Sequence, residues 1–600
     1  MNTREKVFTA LETAILNFFV EHSYNIGSLT VNLEQPVNFK YGDVSTGIAL
    51  KFAKTLEQDP YSLAQTISQY LSEKKLEVVE KIEVAKPGFI NIFFTQIFFE
   101  NILIEILESG LDFGRNNSLA GQKWVVEHTS PNPNKAMHLG HLRNNLVGMN
   151  LVRILSWNGA TVVSDAVDNN RGIAIAKLMW GFLAHMRKSE SVPLDIEHWL
   201  SHPDEWSSPA EQNLLPDVFV TKCYIFGEAD FKNNPAAEKK IREFVSQWET
   251  SDQNIWKLWS HVLTYAYAGM NRTLARLGNH WDKVWHEHEH YQVGKDFVQK
   301  GLATGVFRKL EDGAVLTDLA SYNLPDTILL KNDGTALYIT QDIALTALKK
   351  DFYQVEKLVW VVGSEQTIAL KQLFAVCEQL GIGSLKDFTH VVYGYVGLKD
   401  NDGSFKKMSS RAGTVVLIDE VIDTVRDKIF QRFVTDGKEV SDSLHNLSEK
   451  MAVTAVKFSL LKSDRTQDIV FDLDQSIEIK GDSGIYVLYV YVRVQSLLSK
   501  SKNKKLGNID FSRKPGLEGD LVKLLMFFPE IIKKTKEDFS AHHVAQYLLE
   551  FCSAFNTWYA TETILDGSEQ QSYKLALTEA VGIVIKNGLA ILGIETVDKI

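Results

Sequence analysis

Residues 130–144 read Ser-Pro-Asn-Pro-Asn-Lys-Ala-Met-His-Leu-Gly-His-Leu-Arg-Asn and follow Trp124-Val-Val, a β-branched run of strand type. His138 and His141 bracket Leu139-Gly140, where a helix running to about Trp157 should begin. A helix N-terminus offers free N–H groups and a positive dipole to an anion. Gly140 leaves room for a flat group against the backbone. Two imidazoles three residues apart then reach the same phosphates. Strand, turn and helix in this order suit a nucleotide lying across the strand ends of a doubly wound sheet. An HxxH pair by itself is more often two ordinary histidines, so its surroundings must carry the reading.

Those surroundings alternate short strands with helices. Thr161-Val-Val is the next strand, followed by a helix from about Gly172. Farther on, Leu358-Val-Trp-Val-Val precedes a helix from Gln366, and His390-Val-Val-Tyr follows it. Such alternation implies a parallel sheet covered on both faces. Residues of about 185–255 are Pro-, Trp- and Glu-rich without strand rhythm and read as a helical insertion. Before this region, residues 1–115 run from helical pattern to a strand-like Phe89-Ile-Asn-Ile-Phe-Phe and close on a polar linker near Gly114–Gly121. After it, 436–600 reads as helices almost throughout, with Leu548, Phe551, Cys552 and Phe555 at helical spacing. The expected fold class is therefore α/β, with a Rossmann-like doubly wound catalytic domain over 116–435, an N-terminal α+β domain and a C-terminal all-helical domain.

Six hundred residues is too long for one ordinary core at about 150 residues per domain. With 45% hydrophobic and 23% charged residues, 13 Pro and 37 Gly, the chain is an ordinary globular one, neither fibrous nor disordered. Sixty-four basic against 75 acidic residues leave −11, which excludes a uniformly basic nucleic-acid coat but not a local basic face. Cys223, Cys377 and Cys552 lie far apart and form neither a zinc pair nor a secreted disulfide framework. The first nineteen residues mix charges with apolar side chains, as an amphipathic helix does and a signal peptide does not. The most apolar window, 89–107, is broken by polar residues well short of a bilayer span. A cytoplasmic protein without membrane association is expected.

A second motif raises the weight of the histidine pair. Phe405-Lys-Lys-Met-Ser-Ser-Arg-Ala-Gly413 is polar and basic and ends the α/β region. Lysines on such a loop can close over pyrophosphate and neutralise charge that builds in the transition state. Alone it is a solvated loop. An HxGH turn followed by this KMS loop resembles the class I aminoacyl-tRNA synthetases. Glu127-His-Thr-Ser-Pro-Asn132, Leu337-Tyr-Ile-Thr-Gln-Asp342, Val362-Gly-Ser-Glu-Gln366, Tyr486-Val-Leu-Tyr489 and Lys586-Asn-Gly-Leu-Ala-Ile-Leu-Gly593 resemble arginyl-tRNA synthetases in particular. Tyr41-Gly-Asp43 and Pro87-Gly-Phe-Ile-Asn91 fit that family's additional N-terminal domain. The resemblance covers nearly the whole chain, in order.

It implies an arginine–tRNA ligase that forms arginyl-adenylate from L-arginine and ATP, with Mg²⁺, and passes it to the terminal adenosine of arginine tRNA. Its implied catalytic residues are His138, His141, Lys135 and Lys407. ATP would be held by His138, Gly140, His141, Lys407, Met408, Ser409 and Ser410. Arginine would be held by Glu127, Asn132, Tyr338, Asp342 and Gln366. The chemistry agrees, because a guanidinium is a planar fork that seeks carboxylates, and Tyr338 and Asp342, four apart, share one helix face. The tRNA contacts implied are Asn91, Phe94 and Gln96, read as alternating strand positions, and Tyr486, Tyr489 and Tyr559 in the helical domain. No metal ligand set and no zinc are expected, and a monomer is.

Three departures accompany the resemblance. Ser410 stands where a second loop lysine is usual, and Lys135 matches the position that compensates in relatives lacking it. Asn170 in Asp168-Asn-Asn-Arg-Gly172 stands where an Asp is expected. His286-Glu-His-Glu-His290, if a strand, would point three imidazoles one way, but no second ligand cluster accompanies it. Two rivals remain open at this point: another class I synthetase such as the cysteine enzyme, which lacks support because zinc-type cysteines are missing, and a non-catalytic tRNA-binding paralogue, which the intact motifs oppose.

Overall fold

The N-terminal pattern folds as α1 (Thr3–Glu21), burying Phe8, Leu11, Ile15, Phe18 and Phe19 at helical spacing. The structure, a computed structural model, describes residues 3–24, 30–399, 405–406, 416–479, 481–501, 509, 511 and 518–600. After α1 come β1 (Val44–Thr46), α2 (Ile48–Ala53), α3 (Pro60–Glu73), β2 (Val79–Ala85), β3 (Phe89–Phe94) and α4 (Gln96–Ser109). The Asp59 carboxylate accepts the Ser62 N–H at 2.8 Å and starts α3, with Pro60 in its first turn. The three strands form an antiparallel sheet in the order β1-β3-β2.

Asn91, Phe94 and Gln96 do not occupy alternating positions of one exposed strand face. Gln96 opens α4 instead of lying on the strand. Asn91 and Phe94 are both buried. Asn91 Oδ1 accepts the Ser45 hydroxyl at 2.8 Å, and the Phe94 ring packs 4.3 Å from that of Phe98. Five apolar residues around one asparagine give no alternation to reveal which side faces out.

The chain next builds its central sheet. β4 (Lys123–Glu127), α5 (Leu139–Trp157), β5 (Thr161–Asp168) and α6 (Ile173–His185) lead into α7 (Ile196–Ser201), α8 (Pro216–Asn233), α9 (Pro235–Glu249) and α10 (Gln253–Arg276). β6 (Lys283–His286), α11 (Glu287–His290), α12 (Gly294–Ala303) and a small antiparallel sheet of β7 (Arg308–Lys309), β8 (Val315–Leu316) and β9 (Ile328–Leu330) follow. Then come α13 (Tyr338–Tyr353), β10 (Lys357–Val361), α14 (Thr367–Gln379), β11 (Phe388–Val391), β12 (Val396–Lys399) and β13 (Phe405–Lys406). The five-stranded sheet is parallel throughout, in the order β11-β10-β4-β5-β6. Its order reverses between β4 and β10, so the cleft beyond the carboxyl end of β4 is where a ligand belongs.

Helices α6 to α10 form their own apolar cluster, including Phe182, Trp199, Phe219, Ile241, Trp248 and Leu258. The HEHEH run is not a strand: β6 stops at His286, and a helical turn begins at Glu287. The convergence of three imidazoles by strand alternation therefore fails.

α15 (Ile418–Thr435), α16 (Asp442–Leu461), β14 (Ile469–Phe471) and α17 (Leu473–Ser476) follow. The last stretch is helical: α18 (Gly484–Lys500), α19 (Gly519–Asp538), α20 (His542–Thr561) and α21 (Gln571–Ile591). By compactness the chain forms two units, 1–116 with 478–537 and 543–600, and 117–477 with 538–542. Residues 436–477, expected with the helical end, thus group with the sheet. The reason is local: Arg276 of α10 binds Asp419 and Asp423 of α15 and Glu449 of α16, and buried Arg143 of α5 donates to the Leu460 carbonyl and, at 3.0 Å, to that of Asp464. In the other unit, Asn587 of α21 donates to the carbonyls of Gly110 and Phe113 at 3.1 and 3.0 Å. No helix among the described residues is long and apolar enough to cross a membrane.

Candidate active site

β4 leads to α5 through the segment 128–138, which turns sharply at Thr129, a non-glycine residue at φ 54°. Asn144 holds the turn by accepting the Thr129 N–H at 2.6 Å and donating to the Val361 carbonyl at 2.7 Å. His138 is then the N-cap of α5. Its Nδ1 accepts the Gly140 N–H at 3.2 Å, while His141 Nδ1 accepts the His138 N–H at 3.1 Å. The rings stack with centroids 3.9 Å apart. Burial pushes His138 down to about 4, and Lys135 nearby adds to the shift. Burial also drives His141 well below the usual histidine range, with His138 and Lys135 as further causes. Both imidazoles are neutral with Nδ1 as acceptor, so the proton sits on Nε2, a donor suited to a phosphate oxygen. Burial lowers the Lys135 ammonium as well.

Lys407, Met408, Ser409 and Ser410 lie outside the described residues. The chain that follows them is tied to the histidine turn. Val416 O accepts the Leu139 N–H at 3.3 Å, and Ile418 N donates to Met137 O at 3.1 Å.

The carboxyl ends of β4, β5 and β6 carry an acidic cluster. Glu127 ends β4 beside Asp165 of β5 and Trp360 of β10. Asp342 follows Tyr338 by one turn of α13. The residue as a whole is exposed, but its carboxyl is surrounded by protein. This crowding, followed by the charges of Glu127 and Glu287, pushes it up to about 7. Burial likewise raises Glu287, against the pull of Arg171, whose guanidinium lies 3.5 Å away. Glu127, Asp165 and Asp342 face the cation Lys349, Glu287 lies 3.5 Å from an Arg171 that is paired with Glu249 at 2.6 Å, and Asp168 pairs with His286. An excess of negative charge in a partly desolvated cleft selects a cation.

Tyr338 is 84% exposed at the first turn of α13. Asn132 is exposed and its Oδ1 accepts from Asn169 Nδ2 at 3.1 Å. Gln366, also exposed, precedes α14 beyond the end of β10. All three lie off the carboxyl ends of their strands or at the start of the flanking helix.

Two residues take contacts that the sequence alone does not reveal. Lys349, on the face of α13 that carries Asp342, is buried between Glu127 and Asp165. Its spacing from Asp342 was the available signal, but a lysine inside a helix reads as a solvated one. Asn170 is the other. Its Oδ1 accepts the His288 N–H at 3.2 Å, and its Nδ2 donates to His288 Nδ1 at 2.9 Å and to the Tyr267 hydroxyl at 3.3 Å. Tyr267 and His286 in turn donate to Asp168 Oδ2 at 2.5 and 2.7 Å. An amide thus pins the turn that carries Glu287, and the histidines at 286 and 288 are spent on it.

In the unit that holds the chain's end, α18 and α20 line up a polar and aromatic strip. Asn556 donates to the Tyr486 hydroxyl at 3.0 Å and accepts from Arg493. Arg493 lies over the Tyr559 ring, 4.9 Å from its centroid. Tyr489 is half-buried one turn after Tyr486. Near the start of α4, Gln96 is exposed and donates to Glu100 at 2.8 Å.

Comparison with known proteins places this architecture. Residues 103–188 and 207–473 match the catalytic domain of class I (R) tRNA synthetases, 487–600 the DALR anticodon binding domain, and 5–94 the arginyl tRNA synthetase N terminal domain. The arginine–tRNA ligase of Treponema denticola is 32% identical over 577 residues, 93% of each chain. That of Phocaeicola vulgatus is 28% identical and covers all of both chains. The arginyl-tRNA synthetase structure of Thermus thermophilus shares the fold with a TM-score of 0.79 at 23% identity, over 99% of this chain and all of that one. With all three of its regions matched in order, the chain belongs to the arginyl-tRNA synthetase family.

Proposed function

We propose that the chain is an arginine–tRNA ligase that forms arginyl-adenylate from L-arginine and ATP and transfers the arginyl group to arginine tRNA. The observation that carries this reading is the acidic cleft of Glu127, Asp342 and Glu287 next to the neutral histidine pair. A guanidinium supplies the missing positive charge. ATP, the co-substrate of class I synthetases, lies with its phosphates at the start of α5.

In the first step an oxygen of the arginine carboxylate attacks the α-phosphorus of ATP. The bond from that phosphorus to the bridging oxygen breaks, and pyrophosphate leaves. His138 and His141 donate from Nε2 to phosphate oxygens, and Lys135 with Lys407 balances the growing charge. No side-chain nucleophile is required, so catalysis is positioning plus charge stabilisation. Mg²⁺ enters as the counter-ion of ATP, and no step is assigned to it. In the second step the 2′-hydroxyl of the terminal adenosine attacks the arginyl carbonyl, and AMP leaves.

Asp342 and Glu127 receive the guanidinium, with Tyr338 beside it. Asn132 and Gln366 hold the α-amino and carboxylate ends. The strip of Tyr486, Tyr489, Arg493 and Tyr559 offers stacking surfaces and a cation for splayed anticodon bases. Of the three residues read as tRNA contacts only Gln96 is exposed, with its amide N–H groups donated to Glu100 and to the Phe511 carbonyl, whereas Asn91 and Phe94 are buried. Charging of total tRNA with each amino acid in turn tests the reading: arginine alone should be incorporated.

A further inference from the structure

Glu127 and Asp165 are lateral neighbours on β4 and β5, so their side chains leave the same face of the sheet. One ammonium stands between them. Lys349 Nζ is 2.8 Å from Glu127 and 3.0 Å from Asp165, and the Lys349 and Asp165 side chains are 1% and 0% exposed. Burial works against the charge on Lys349, but Asp165 and Glu127 outweigh it and hold the ammonium protonated. Burial pushes the Glu127 carboxyl up, Lys349 pulls it back down, and Asp165 adds to the rise; with both carboxylates ionised, the pair sharing one cation carries one net negative charge.

The two carboxylates are not equivalent. Asp165 is turned wholly inward, accepting Trp285 Nε1 at 3.0 Å and the Tyr353 hydroxyl at 3.3 Å. Glu127 is the member that reaches the cleft, with a side chain 14% exposed. A charge held so deep is costly until a partner meets it.

We propose that Lys349 is a positioning and specificity residue for the arginine side chain, fixing one edge of Glu127 inward and leaving the cluster one charge short of neutrality. Only a cationic side chain completes it. This rests on the substrate reading above. A neutral isostere such as citrulline leaves the buried charge uncompensated.

Other titratable groups face this cluster. They are Asp342 and Tyr353 on α13, and Glu287 and His290 on α11. Without Lys349, Glu127 and Asp165 would have to share a proton, and Glu127 would present an O–H where a guanidinium needs an acceptor.

The test is steady-state charging by the full chain with Lys349→Met, Lys349→Arg and Asp165→Asn. Lys349→Met should raise the KM for arginine about tenfold or more at pH 7, equivalent to about 1.4 kcal/mol. The KM for ATP should stay put, and the arginine defect should shrink as the pH rises to 9. Lys349→Arg, which keeps the charge, should recover most of the loss. Asp165→Asn makes the cluster neutral and should weaken arginine at every pH while narrowing the preference for arginine over citrulline. It carries the test alone if Lys349→Met does not fold. An unchanged arginine KM in these variants would overturn the role of Lys349, as would equal losses toward arginine and ATP. If the unaltered chain does not charge arginine, it is the substrate reading that fails.

Discussion

His138 and His141 stack ring on ring, 3.9 Å apart, and each takes a backbone N–H from the same helix start at its Nδ1. The arrangement works only with unprotonated rings, which burial secures. Among the described residues the two Nε2 donors are thereby aimed by these Nδ1 bonds. His138→Ala should lower the rate of adenylate formation by about 10²–10³, as removal of one preorganised donor does, with arginine binding nearly intact. Gly140→Ala should act more gently. Its Cβ would stand 3.0 Å from His138 Cε1, so the ring must yield and the rate should fall about tenfold. Single-turnover adenylate formation reads both variants, and a rate within threefold of the unaltered chain in His138→Ala contradicts the donor role.

Asp342 makes arginine binding depend on pH. Its carboxyl is pushed up to about 7 by burial and by the charges of Glu127 and Glu287, and the guanidinium binds the ionised form. Binding therefore expels a proton below pH 7, and affinity rises with pH until the carboxyl is ionised. The apparent affinity at pH 6 should be about tenfold weaker than at pH 8. Asp342→Asn should lose both the affinity and its pH dependence while ATP still binds. Calorimetric titration of arginine at the two pH values checks this, and a flat profile would contradict it.

The insertion depends on two glycines. A Cβ on Gly181 would stand 1.8 Å from Cys223 O, and one on Gly227 would stand 1.9 Å from Lys177 O. Helices α6 and α8 thus meet backbone to backbone. Gly181→Ala and Gly227→Ala should each destabilise this contact by on the order of 3 kcal/mol. The expected sign is a lower melting temperature with new proteolytic cleavage between 186 and 250; unchanged melting would refute the close packing.

Tyr559 ends a strip with Arg493 against its face. Tyr559→Ala should raise the KM for tRNA roughly tenfold or more, the worth of one stacked base, without altering the KM for arginine or ATP. A change confined to the small substrates would argue against an anticodon role for this strip.

The parallel sheet and the histidine turn are legible in the sequence because β-branched runs, helices and the HxGH spacing agree locally. Lys349 is not, because a lysine in Leu345-Thr-Ala-Leu-Lys349 carries no mark of the two carboxylates that long-range strand pairing brings to it. His286 to His290 misleads for a similar reason. Its alternation mimics a strand, whereas the amide of Asn170, 118 residues away from His288, fastens a helical turn. Asn91 and Phe94 show the limit of a nearly apolar run, in which the single polar residue, Asn91, is itself buried and bonded to Ser45 and so marks no outer face.

On the reading proposed above, the acidic cleft at the sheet's carboxyl end selects arginine for attachment to tRNA. Charging of total tRNA by the full chain, with each of the twenty amino acids supplied separately, tests it most directly. ATP-dependent incorporation of arginine alone, onto arginine-accepting tRNA, is expected, together with its loss in Asp342→Asn. Incorporation of a different amino acid, or ATP-dependent charging with arginine that survives Asp342→Asn undiminished, would contradict it.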